Sequence, residues 1–179
     1  MRKIKFLLII LTFTSCTIMK VSDKQQNGYF NSTKKATTIV NKPFDIDANK
    51  TLLVVPNGAF MKGMAEKIKY FDRVITFEDL EKEIIQNGRQ DEVGALSGKI
   101  GINNAYRKYK KFLYLKFAEN PENTKRIQLK LINPETFDDI FVADTAFDVV
   151  WSGVNDQNTF NPLFNSLIDY IKEHSKMYK

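Results

Sequence analysis

Apolar positions along this chain fall into blocks, and the spacing within a block changes from one to the next. Residues 6–13 form an unbroken apolar run apart from Thr12. That is less than half of the roughly 20 residues a membrane-spanning helix needs. From residue 17 to about 48 the chain is largely polar, with apolar residues such as Phe30, Ile39 and Val40 scattered among charged and amide side chains. So little apolar surface offsets little chain entropy, so residues 16–48 are expected to be a flexible tether. Fully extended, such a tether would reach about 100 Å. The alternative makes residues 40–46 an edge strand of the folded domain.

Regular periodicity begins near residue 49, and residues 49–179 have the length of one ordinary domain. A short apolar block, Leu52, Leu53, Val54 and Val55, closed by Pro56, Asn57 and Gly58, predicts a buried strand. Met61, Met64, Ala65 and Ile68 recur at helical spacing. Residues 73–76 predict a second strand. Thr76 with Asp79 three positions on predicts a capped helix whose inner face carries Leu80 and Ile84. Further on, residues 112–117 read as a strand. Ile127, Leu129 and Leu131 alternate with Gln128 and Lys130, a polar turn covers 133–136, and residues 140–143 return. The return is expected to run on towards Val149 and Val150. Asn161 and Pro162 open a last helix with Leu163, Phe164, Leu167, Ile168 and Ile171 on one face. The expected fold is therefore α/β (α+β). Its single mixed sheet has a β-α-β-α opening with parallel pairing near the centre, then an antiparallel hairpin, and the C-terminal amphipathic helix packs on the sheet.

The first apolar block acquires meaning from its flanks. Arg2, Lys3 and Lys5 precede it, Thr14 and Ser15 follow, and Cys16, the one cysteine of the chain, comes next. A basic segment, a short apolar segment and small residues describe an export signal over residues 1–15. With a cysteine at the cut, the segment resembles a bacterial lipoprotein signal, although Phe13 stands where that motif usually carries an aliphatic residue. The resemblance implies a lipid on Cys16 as the link to the membrane, in the cell envelope. Thr17 does not match the Asp that retains some lipoproteins at the inner membrane, so an outer-membrane location facing periplasm or cell surface is favoured. Removing residues 1–15 takes three basic side chains and no acid, so the net charge falls from +6 to +3. The basic balance is then weak evidence for nucleic acid, and no nucleic-acid partner is expected. A lipidated Cys16 leaves no free thiol, and His174 is the one histidine, which removes His-based triads and multi-histidine metal sites.

The order of elements, with the hairpin over residues 127–136 as its local hallmark, resembles a group of envelope domains. The group includes the TolB amino-terminal domain, CsgG-type secretion lipoproteins and LpoB-type activators. That likeness implies an accessory or assembly role, and the lack of a glycine-rich two-strand insert argues against a pore.

Four segments invite chemistry. Residues 94–99 approach a phosphate loop but have three residues between the glycines where the motif needs four, and Ile100 follows Lys99. Asp138, Asp139, Asp144, Asp148 and Asp156 lack the spacing of a calcium loop, and no metal or other cofactor is expected. Residues 106–111 interleave Tyr with Lys and Arg, as a solvated helix end leading into a strand would. Residues 151–162 are the expected recognition loop, with Trp151, Asn155, Asp156, Asn158 and Phe160 as its candidate contacts. The alternative has Trp151 and Phe160 as core residues. The expected function is non-enzymatic, a lipid-anchored protein binding another envelope protein or a cell-wall component. The alternatives are a solute- or glycan-binding lipoprotein and a carboxylate-based hydrolase.

Overall fold

Helical and strand periods meet on one six-stranded sheet. The computed structural model describes residues 20–178 except 57, 151 and 152, so the signal segment, Cys16 and Trp151 lie outside the described residues. The strands are β1 (Thr37–Asn41), β2 (Thr51–Val55), β3 (Arg73–Thr76), β4 (Leu113–Asn120), β5 (Asn123–Ile132) and β6 (Asp139–Ala146), in the order β1-β6-β5-β4-β2-β3. β2 pairs parallel with both β3 and β4, and the other pairs are antiparallel. The fold is thus the α/β mixed sheet expected, with its parallel pairs gathered towards the β3 edge. Instead of continuing β6, β7 (Val149–Val150) pairs with β8 (Gly153–Val154) in a separate two-stranded ribbon.

Alternation along the strands sorts their side chains onto two faces. On one face Leu52, Val54, Leu113, Leu115, Leu129 and Leu131 meet α1 (Ala59–Ile68) and α6 (Asn161–His174). The buried residues of α1 are Met61, Met64, Ala65 and Ile68, the set the spacing predicted. On the other face Leu53, Ile75, Phe112 and Tyr114 pack with α2 (Phe77–Gln86), α3 (Gln90–Val93) and α4 (Gly98–Lys108). Thr76 and Asp79 close a reciprocal capping box at the start of α2.

The expected tether is corrected over its described part. Residues 20–36 form a strap between α1 and α6, and β1 extends the sheet as an edge strand on β6. Phe30 is buried edge-on to Phe164, and its backbone N–H and C=O both bond the Asn165 side-chain amide at 2.8 and 2.9 Å. Asn161 does not cap α6. Its amide donates to Ser22 Oγ and to the Asn31 carbonyl, which fastens the strap. Average composition misjudges such a segment, because one aromatic anchor and a few amide clamps suffice when a groove already exists. A short 3-10 turn (Ile46–Ala48) then buries Ile46.

The C-terminal end is held by Asp47. It accepts from the hydroxyls of Ser175 (2.6 Å) and Tyr70 (2.8 Å) and from the Lys176 N–H (2.8 Å). These bonds, that from Ser175 foremost, hold its pKa at about 2, below the ordinary 3.8. The unfolded chain therefore takes up this proton first as pH falls. The stabilisation is complete above about pH 4 and is lost on descent through about pH 2. Urea midpoints measured from about pH 4 down to about pH 2 should fall, and Asp47→Asn should flatten that slope.

Candidate functional site

The second face of the sheet is only partly covered. α4 reaches Ile132 of β5, and beyond it no helix among the described residues packs over β6 and β1 on this side. Cross-strand register lays out what remains. Tyr114, Ile132 and Asp139 form one row, and Lys116, Lys130, Val142 and Val40 the next. Between these rows and the start of α4 lies a cleft of about 680 Å³, a size that suits a small ligand or a short segment of a partner. Lys42, Lys99, Lys116 and Lys130 line it, with Asp138 and Asp139 as its acids and Phe77, Tyr114, Ile102 and Phe137 as its apolar walls.

Charge in the cleft is unbalanced. Lys130 pairs with Asp139 at 2.8 Å, while Lys42 and Lys116 have no ion pair among the described residues. Lys116 and Lys130 are direct cross-strand partners, and like charges opposite each other destabilise a sheet. Burial raises the pKa of the Tyr114 hydroxyl, which keeps it a hydrogen-bond donor. Phe137 at the rim has φ 63°, a left-handed conformation costly for a bulky residue and typical of sites under a functional constraint. Its N–H is held by the Asn133 carbonyl at 2.8 Å, and Lys99 lies 5.8 Å from its ring centroid. The arrangement can take a carboxylate or phosphate group by ammonium contacts while apolar walls cover the attached body.

One row further along, Asp144 is buried and accepts from Asn120 Nδ2 at 2.8 Å and from Arg126 Nε. This closed network fixes the β4–β5 hairpin over the sheet. Among the described residues no group of three or more acidic, His or Cys side chains is placed to hold a metal ion, and of the Asp residues singled out in the sequence only Asp138 and Asp139 line the cleft. Asp148 pairs with Lys34 at 2.6 Å on the far side of the molecule.

The predicted recognition loop is mostly engaged in the fold. Phe160 is buried between Phe60 and Phe117, with ring centroids 5.2 and 5.3 Å away. Asn158 accepts from the Thr33 N–H and hydroxyl and donates to Asp148. Asn155 caps α5 (Asp156–Thr159), with Asp156 in its first turn. Phe160 thus belongs to the core, Asn158 holds the strap, and Asn155 serves the short helix between β8 and α6. Residues 106–111 form the end of α4 and its exit, with Lys110 on Glu83 at 2.5 Å and Lys111 over the Tyr106 ring at 3.9 Å. Residues 94–99 follow α3 and carry left-handed glycines at 94 and 98, so they lack the strand that precedes a phosphate loop.

Sequence reasoning missed the cleft. Lys116 and Lys130 read as the polar half of two alternating strands, and the one signal was that both polar positions were lysine. Comparison of the chain with protein families, curated proteins and solved structures finds no match.

Proposed function

We propose that this protein is a lipid-anchored component of the cell envelope, held through Cys16, whose domain binds an anionic envelope component in the cleft without chemical turnover. The observation that carries the binding role is the facing pair Lys116 and Lys130, of which Lys130 alone has a carboxylate partner, Asp139, among the described residues. Such a pair costs stability in the free protein and is relieved when an acid docks. The signal-like segment before Cys16 supports the anchorage. A partner surface of the flat apolar kind finds less support, since of the exposed large apolar residues Ile39, Ile85, Ile100, Val149, Val154 and Met177 only Val149 and Val154 are paired, across the β7–β8 ribbon.

A photo-crosslinking residue placed at Thr136, exposed in the turn beside the cleft, tests this in cells. One dominant envelope adduct, lost in Lys116→Gln, supports the reading. Adducts unchanged by Lys116→Gln contradict it. The same substitution should raise unfolding stability by about 0.5 kcal/mol, because it removes a like-charge neighbour. A gain in urea midpoint together with loss of the adduct is the signature of a residue retained for binding.

A further inference from the structure

The strap sets which way the domain faces. Val21 packs so close to α1 that a Cβ on Gly63 would lie 2.6 Å from its methyl group. The Ser22 N–H reaches Met64 Sδ at 3.3 Å, Asp23 pairs with Lys67 at 2.5 Å, and Lys24 Nζ donates to the Ile68 carbonyl at 2.8 Å. The chain is therefore fastened to the helical layer from Val21 onward. Only five peptide steps separate Val21 from Cys16, which span at most about 18 Å. A domain of this size is roughly 40 Å across. A leash so much shorter than the body it holds cannot carry the membrane around to the opposite face.

Resting on the lipid anchorage proposed above, we infer that the α1–strap–α6 layer docks on the lipid headgroups, and that the lysine-lined cleft on the opposite sheet face points away from the bilayer. Chemistry at the leash agrees with this. Lys20, Lys67 and Lys69 are exposed around Asp23, and the bond from Lys67 and the charges of all three hold that carboxyl below its usual pKa. An excess of ammonium groups at the point of attachment suits an anionic headgroup surface. The alternation of side chains along β4 and β5 places Lys116 and Lys130 opposite Leu115 and Leu129, which face α1 and α6. The cleft and the leash thus lie on opposite sides of the sheet, about two layers or 20 Å apart.

The test uses full-length protein purified from membranes, in vesicles of zwitterionic and anionic phospholipid carrying a headgroup nitroxide quencher. Because Cys16 is the one native cysteine and would be lipidated, Glu66→Cys on α1 and Thr136→Cys beside the cleft each offer a single thiol for a fluorescent label. Both positions are exposed. The label at 66 should be quenched at least about twofold more than the label at 136, because the leash holds only one face at headgroup distance. Intact mass is measured on the same samples. A lipidated Cys16 with equal or reversed quenching overturns the orientation alone. An unmodified Cys16 overturns the anchorage, and the orientation with it.

Discussion

Phe30→Ala should cost about 3–5 kcal/mol of unfolding free energy, the range for removing a buried phenyl ring. The ring is 2% exposed and stands edge-on to Phe164, 6.1 Å between centroids. The Asn165 amide that clamps its backbone would remain, so the strap could not simply move in to fill the space. A cavity of that size under the α6 face lowers stability through lost transfer energy and through lost packing contacts. Had residues 16–48 been a free tether, the same substitution would change stability by less than about 0.5 kcal/mol. Chemical denaturation of the two proteins separates these outcomes directly.

Gly101→Ala should destabilise by about 3 kcal/mol, against the sense of helix propensity, which favours alanine over glycine by about 1 kcal/mol. A Cβ at this position in α4 would lie 2.2 Å from the Ala95 carbonyl oxygen and 2.7 Å from the Leu96 carbonyl carbon. These are backbone atoms of the segment that joins α3 to α4, and no rotamer change can move them aside. The helix must shift, and with it Lys99 and Ile102 on the cleft wall. Denaturation midpoints together with the Thr136 crosslink would show stability and adduct falling together. A stabilised variant would mean that α4 does not lie against that segment.

What could be read in the sequence depended on whether a residue's role was set by its neighbours in the chain. The four buried positions of α1 and the Thr76–Asp79 box are local patterns, and both are present as the spacing indicates. The same holds for the apolar face of α6, whose length and period exceed anything a strand would show. Of α4 only the end was legible, at residues 106–111, because Gly98 and Gly101 interrupt the propensity of its body and only Ile102 and Ala105 supply a buried apolar stripe. The strap was illegible for a different reason. Phe30 acts through Phe164 and Asn165, more than 130 residues away, and no average over nearby residues reports that. The cleft is a property of topology, since it exists only because the helices of the second face stop short of β6 and β1.

Anchorage is the claim on which the rest of the functional account depends, and it is most directly tested by palmitate labelling in cells, followed by intact mass of the purified protein. The wild-type chain should take up label, lack residues 1–15 and carry a diacylglyceryl group with an acylated amino group on Cys16. In Cys16→Ala the label should vanish. Label that persists in Cys16→Ala, or a wild-type chain that reaches the envelope with an unmodified Cys16, would contradict it.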